Sequence, residues 1–429
     1  MAKTKLSLLG ISAVTVLGLS ACVQQLWTAT YPGPNNYYSE VYNLAVDADQ
    51  SVFVEGRTKA VDNSDTLFVA KYDSKGALLW DYSVPDYIAF KESTVGTSSL
   101  KAVSNGNVFF SGVNIDSQMW KILTLSPQGE LLWEREFAFN FQWGDIAVSS
   151  DGIYYLLGWF NNQALVMAFD ELGNDLWQYE VDATPLDSSD VDLPDYGSKL
   201  VKGLSAGHME VTGDGRVVVN MGGELLILNP DGSLNNSVSA IELGVDFFLD
   251  HSIGVNNIAL LGEETSDGEI DGNTIAFILN ADLVVENHSE LGRSIDWGGI
   301  AMLGDSSACV GFVTGYTGNV THAMGLISAT EEEWAFEETA EYAFYSPVSL
   351  KADDQHCYLS TMESIVSPTL TSYTYRYDAL GKLVDTITLK DFGLAAIELN
   401  GSDVYSGGIT GNYDGIDGTT ATIVKHKIR

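Results

Sequence analysis

Phe68-Val69-Ala70-Lys71-Tyr72-Asp73-Ser74-Lys75-Gly76-Ala77-Leu78-Leu79-Trp80 is the stretch whose reading decides the fold. An aromatic and β-branched run suits a strand, Asp-Ser-Lys-Gly suits a tight turn, and Leu-Leu-Trp opens a second strand. The same hairpin returns at Lys121–Trp133 around Gly129, at Val166–Trp177 around Gly173, and at Leu225–Leu234 around Gly232. Weaker copies run Phe277–Val285, Gly325–Thr330 continuing to Trp334, and Tyr375–Leu383. The turns fall near positions 76, 129, 173, 232, 282, 330 and 381, a period of about 50. Hairpins at that period signal a β-propeller and not a helical solenoid.

Two further strands precede each hairpin, as in Asn43–Val46 with Val52–Gly56 and Ile146–Val148 with Ile153–Gly158. The turns between them, such as Asn105-Gly106-Asn107 and Gly213-Asp214-Gly215, have hairpin chemistry. Each unit is therefore a four-stranded blade. The last unit supplies Leu394–Leu399, Val404–Gly407 and Thr422–Ile428, and then the chain stops short of a fourth strand. Leu26-Trp27-Thr28-Ala29-Thr30-Tyr31 resembles the missing strand, so the N-terminus is expected to complete the last blade. Closure removes edges that would otherwise invite pairing with other chains. The expectation is an all-β fold, a single closed propeller of eight four-stranded blades. Seven is the alternative, because Asp182–Glu210 is irregular.

The N-terminus has a basic start at Lys3 and Lys5, an apolar run from Leu6 to Leu19, and Leu19-Ser20-Ala21-Cys22. These are the parts of a secretory signal, and the run is too short to span a bilayer comfortably. Leu-Ser-Ala-Cys resembles the bacterial lipobox. That resemblance implies cleavage before Cys22, a diacylglycerol thioether on its sulfur, and an acylated new N-terminus. Several acyl chains suffice for stable anchoring. Val23, where inner-membrane lipoproteins typically carry Asp, favours the outer membrane; the periplasmic face of the inner membrane is the alternative. The expected organisation is 1–21 signal peptide, 22–25 lipid-anchored N-terminus and 26–429 propeller.

The net charge is −37, and becomes more negative once Lys3 and Lys5 leave with the leader. Such a balance argues against nucleic acid, which needs clustered Lys and Arg to displace counterions, and against a polybasic membrane patch. Solubility in a salty medium is the plain reading of the acidity. The six His are scattered without metal-ligand spacing, and neither a Gly-x-Ser-x-Gly elbow nor a phosphate loop is present.

The hairpin repeat resembles the β-propeller repeats of secreted bacterial proteins, quinoprotein-like propellers among them. An N-terminal strand with Trp after a lipobox also looks like the propeller lipoprotein of the outer-membrane β-barrel assembly machine. That resemblance implies a scaffold architecture. The repeats here lack the Thr-Gly turn typical of its blades, so no partner and no binding residue is carried over. The function expected is a non-enzymatic envelope lipoprotein. It would serve as a protein-binding scaffold or accessory factor of an outer-membrane assembly or uptake system, with an apolar substrate conceivable for the latter. The alternative is a propeller enzyme, quinone-dependent or glycan-active.

The connections between blades are aromatic, and a propeller gathers them on one face. Tyr87, Phe90, Trp143, Tyr196, Phe247, Trp297, Phe344 and Tyr345, with Asp190 and Asp192 of the longest connection, form the candidate partner face. The competing reading wedges these rings between blades. Cys309 and Cys357 open the second strands of adjacent blades in an oxidising compartment. A disulfide and two separately packed thiols are both open. Two acidic loops, with Asp267, Glu269 and Asp271 and with Asp414 and Asp417, resemble the start of a calcium loop but lack its closing Glu. They read first as acidic turns, with calcium the one cation they suit; no other cofactor is expected.

Overall fold

The computed structural model describes residues 23–31, 38–60, 62, 64–89, 99–114, 116–138, 144–160, 163–181, 207–266, 269–291, 297–314, 319–328, 332–341, 344–364, 370–411 and 419–428. Among the described residues, thirty-two strands form eight separate four-stranded sheets. Blade 1 is Tyr38–Val46, Val52–Lys59, Asp65–Tyr72 and Leu78–Pro85. Blade 2 is Leu100–Ala102, Val108–Asn114, Met119–Leu125 and Leu131–Ala138; blade 3 is Asp145–Val148, Tyr154–Phe160, Gln163–Phe169 and Asp175–Val181. Blade 4 is His208–Val211, Val217–Asn220, Glu224–Leu228 and Leu234–Ser239; blade 5 is Phe247–Ile253, Asn257–Ser266, Glu269–Asn280 and Val285–Glu290. Blade 6 is Trp297–Leu303, Ser307–Thr314, Asn319–Ser328 and Glu332–Glu341; blade 7 is Phe344–Ala352, His356–Ser364, Thr371–Asp378 and Leu383–Lys390. Blade 8 is Phe392–Asn400, Asp403–Thr410 and Thr420–Lys427, completed by Gln24–Tyr31. The ring therefore has eight blades rather than seven, and the N-terminal strand closes it, pairing antiparallel from Gln24↔Lys427 to Tyr31↔Ala421.

The first strand of each blade touches the first strand of the next all the way round, so these strands line the axis. Antiparallel order fixes two unlike faces. Turns within strand pairs 1–2 and 3–4 share one face, and the 2–3 and blade-to-blade connections share the other. Below they are the turn face and the loop face.

The core is divided. Each of eight apolar clusters lies between two neighbouring blades, such as Phe53, Leu67 and Val69 of blade 1 against Leu100, Phe110 and Leu123 of blade 2. Second and third strands are packed on both sides and read as nearly continuous apolar runs. Outer strands face a neighbour on one side only, and Leu131–Ala138 alternates accordingly. In seven blades the pairing of the outer strand shifts register near the hairpin turn, for instance between Lys71 and Tyr72 or Thr124 and Leu125, and in blade 8 the N-terminal strand shifts between Gln25 and Trp27. Such bulges increase local twist and blunt an exposed edge.

The residue after the bulge spans the blade junction. Trp80 of blade 1 lies over Gly129 in the hairpin turn of blade 2, and its Nε1–H donates to the Pro127 carbonyl at 2.9 Å. Trp27 sits likewise on Gly76 with a bond to Ser74 O at 3.0 Å, and Trp177 on Gly232 with a bond to Pro230 O at 2.9 Å. Trp133 covers Gly173. Gly129 is needed twice over: its φ is +85°, and a Cβ there would lie 2.8 Å from the Trp80 ring. At the next junction Asn236 donates to the Asp282 carbonyl. Blades 6 and 7 are instead joined covalently, by the Cys309–Cys357 disulfide with Cα atoms 6.2 Å apart. Cys22 lies outside the described residues.

These contacts predict that Trp80→Ala costs about 3 kcal/mol of unfolding free energy, from lost burial and an opened void. Gly129→Ala costs at least about 1–2 kcal/mol from backbone strain alone. Chemical denaturation of the two variants and of the double variant checks both. The double variant should lose less than the sum, because the alanine no longer meets the indole.

Candidate functional site

The axis is built by a short repeated pattern. Asn43, Ser99, Asp145, His208 and Asp250 each stand three residues before the end of the inner-strand segment of blades 1 to 5. Inner strands of adjacent blades splay apart and share no backbone ladder, so their buried N–H groups need other acceptors. This polar position supplies them. Asp145 Oδ2 accepts from Met209 N at 2.9 Å in the next blade, and Asp250 Oδ2 accepts from Ile300 N at 3.0 Å. Two residues on, Glu210 Oε2 accepts from Ile253 N at 2.7 Å and Ser252 Oγ from Met302 N at 3.1 Å. Asn43 donates from Nδ2 to Ser99 Oγ at 2.8 Å and to Glu55 Oε2 at 2.7 Å, and Ser99 Oγ donates to the same carboxylate. Burial holds the Glu55 carboxyl well above the usual carboxylate range.

The charge centre of this layer is His208. Its Nδ1 lies 3.0 Å from Asp250 Oδ1 and its Nε2 3.9 Å from Asp145 Oδ2. Burial alone would push the imidazole down, but the Asp250 hydrogen bond and the charges of Asp250, Asp145 and Glu210 raise it to about 9. His208 is therefore an imidazolium at neutral pH. The His251 ring packs on it with centroids 4.4 Å apart. Burial, and then the His208 charge, hold His251 well below its ordinary value, so it is neutral. Burial raises both Glu210 and Asp250, opposed by His208.

Beside this layer the channel opens towards the turn face into a cavity of about 440 Å³. Its wall comes from the last residues of inner strands, including Leu44, Leu100, Val148 and Met209. Four charged side chains enter it: Lys101 of blade 2, Glu210 of blade 4, Lys351 of blade 7 and Glu398 of blade 8. Lys351 and Glu398 form an ion pair at 3.7 Å. The layer and the cavity escaped the candidates taken from sequence, although the signal is present: a polar residue three before each first turn, in Asn-Leu-Ala-Val, Asp-Ile-Ala-Val and His-Met-Glu-Val.

The aromatic partner face needs one correction. Tyr87 is buried at the junction of blades 1 and 2, where its hydroxyl donates to Glu136 at 2.7 Å and its ring receives Lys121 at 5.0 Å. An amphipathic ring in a connection finds more apolar contact by turning inward. Phe247 is half-buried at the start of the blade 5 inner strand. Trp297 begins the inner strand of blade 6, and Phe344 with Tyr345 that of blade 7. Phe90, Trp143, Asp190, Asp192 and Tyr196 lie outside the described residues. So do Asp267, Asp414 and Asp417, while Glu269 and Asp271 fall in the third strand of blade 5. Among the described residues no group of three His, Cys, Asp or Glu is placed to hold a metal ion, and no helix is long and apolar enough to cross a membrane.

No known protein family matches the sequence, and no curated protein matches it. Many solved structures are similar to it in fold. The WD40 domain of SCAP from fission yeast aligns with a TM-score of 0.48 and 11% identity over 94% of each chain. The β-propeller domain of the Trilobed protease from Pyrococcus furiosus aligns with a TM-score of 0.47 and 10% identity, over 79% of this chain and 93% of that one. The exotype rhamnogalacturonan lyase YesX aligns with a TM-score of 0.48 and 12% identity, over 93% and 74%. A protease domain, a WD40 domain and a lyase stand side by side at this level of similarity, which concerns the fold alone.

His208 makes stability depend on pH in a stated direction. Its folded value of about 9 lies above the ordinary 6.5, so its contribution is complete below about 6.5 and is lost as pH rises through 9. His251 and His426, the latter held near 4 by burial, act oppositely and withdraw stability below about 6.5. Thermal melts should therefore peak near neutrality and decline from pH 7 to 9.5. His208→Gln should melt lower at pH 7 and lose the alkaline slope; an unchanged slope would assign it to other groups.

Proposed function

We propose that this chain is a non-enzymatic cell-envelope lipoprotein, a rigid scaffold anchored through Cys22 that offers its loop face to an envelope protein. The partner class is an outer-membrane assembly or uptake system. One observation carries the reading. The closing strand starts at Gln24, two residues after the lipobox cysteine, and its first residues lie at the turn face beside Lys427. An anchor there directs the turn face to the membrane and the loop face away from it. The strand ends flanking the longest blade connection, Val181 and His208, both lie at the loop face. Long loops on a rigid ring are where binding surfaces reside.

Ile241 samples the loop face within the described residues. It sits in a 3-10 turn, Ile241–Leu243, between blades 4 and 5 and is 83% exposed. Val255 is the matching probe on the turn face, 84% exposed between the first two strands of blade 5. A photo-crosslinking residue at position 241 in intact cells is expected to capture one envelope protein, and at position 255 lipid or nothing. Protein capture at both positions equally, or at 255 alone, would overturn the orientation. Cys22→Ser should leave the propeller folded and release it from membranes.

A further inference from the structure

The register shift in each outer strand leaves one residue without a partner across the ladder. In blades 8, 1, 2, 3 and 7 that residue is Leu26, Leu79, Leu132, Leu176 and Val384. All five are apolar, and each is between 39% and 55% exposed. None belongs to an apolar cluster between blades, so they do nothing for the junctions. In blades 4 and 5 the same place holds Asn235 and Glu286, both exposed. In blade 6 the shift falls further along, at Ala335, and the residue before Trp334, matching Leu79 before Trp80, is Glu333. The apolar positions are therefore not spread round the ring. They follow one another through five successive blades, 7-8-1-2-3, and stop on both sides.

The arc lies at the turn face. Four of its residues follow a hairpin turn between third and fourth strands, and Leu26 lies beside the end of Thr420–Lys427. Leu78 and Leu131, also exposed, widen it. Leu26 is four residues after Cys22 and belongs to blade 8, inside the arc. An extended chain spans at most about 3.3–3.6 Å per residue, so a lipid on Cys22 would hold this rim within roughly 14 Å of itself. The charges define the kind of surface. The hairpin turns of blades 1, 2, 3 and 7 carry Asp73, Glu130, Asp170, Glu171 and Asp378 against Lys75 and Lys382, in a chain of net charge −37. An anionic surface would repel such a rim, and attraction must come from apolar burial.

We propose that this arc is a membrane-contacting rim, its five bulge side chains entering the headgroup region of the zwitterionic bilayer that holds Cys22. The proposal rests on the anchor reading above and names the part of the turn face that meets lipid. The ring then sits tilted, with blades 7, 8, 1, 2 and 3 lowered and blades 4, 5 and 6 raised. A few exposed aliphatic side chains are a weak and reversible membrane signal, and joined to acyl chains such a signal fixes orientation.

The ring is complete from Gln24 to Lys427, so a chain starting at Val23 keeps every blade and lacks both leader and anchor. This protein should cosediment with phosphatidylcholine vesicles. Leu79→Asp combined with Leu132→Asp should lower its partition coefficient at least about tenfold. Asn235→Asp, on the raised side, should change it by less than about twofold. Adding phosphatidylglycerol to the vesicles should weaken binding at low salt. In the anchored full-length protein, a dye on Leu79→Cys should be quenched by nitroxide-labelled lipid far more than a dye on Asn235→Cys. No binding by the chain from Val23, binding to anionic vesicles only, or an equal loss in Asn235→Asp would each overturn the assignment. A dimer in sedimentation that Leu79→Asp dissolves would give the arc to a second copy and overturn it too. Mass spectrometry of Cys22 reads the anchor separately: a free thiol there would sink the anchor, while the vesicle result decides the rim. Circular dichroism melts of every variant separate a lost rim from a lost fold.

Discussion

Tryptophan on glycine is the contact from which the ring takes its shape. A four-stranded sheet of this kind cannot bury its faces alone, so each blade is stable only against its neighbours. The hairpin turn of one blade must therefore be held at a fixed height beside the outer strand of the previous one. The indole does this with a flat apolar face and one directed N–H, and the glycine permits it by having no side chain. The same contact closes the circle, because Trp27 reaches Gly76 as Trp80 reaches Gly129. Closure is thus chemically one more copy of the blade junction. The locks are not spread evenly. Indoles hold blade 8 to 1 and on to blade 4, an asparagine serves the next junction, and a disulfide ties blades 6 and 7.

At the axis the constraint is the reverse. Outer strands can leave one edge in water, whereas inner strands face one another across a narrow space. Their amides are satisfied by side chains from the preceding blade, and those acceptors bring charge into the core. A buried imidazolium between two aspartates is the compensation the layer adopts. Such a centre is costly to break and specific in geometry, and this suits a junction where neighbouring blades must keep their register. Lys101 above it belongs to the same series of positions, and its charge helps to hold down the buried Glu210 carboxyl.

Much of the architecture was legible in the sequence because its determinants are local. Gly76, Gly129, Gly173 and Gly232 mark turns that few other residues can make, and the tryptophans four residues after the first three mark the outer strands. The closure could be read because the final unit lacked a strand that Leu26–Tyr31 matched. The inner layer was harder. Its position is constant, but its residues change from Asn to Ser, Asp, His and Asp, so identity gives no repeat. Only hydrogen bonding across blades makes them equivalent. Tyr87 misled for a related reason: a tyrosine in a connection has a ring that prefers the junction and a hydroxyl that found Glu136 there. Lys101 carries no signal of its place in the sequence, because nothing along the chain tells which side of a three-residue strand faces a channel.

The composite blade also sets an order of events in time. The strand Gln24–Tyr31 comes first in the chain, yet its partner, Thr420–Lys427, comes almost last. During synthesis the first strand must therefore wait, with its pairing edge unsatisfied, while seven blades are made. Contacts so distant in sequence are among the slowest to form. Until they form, the growing arc has two open ends, each with exposed apolar surface of the kind that captures other chains. Folding of this ring is thus a race between self-closure and mispairing, and the outcome is decided only when the C-terminal strand arrives.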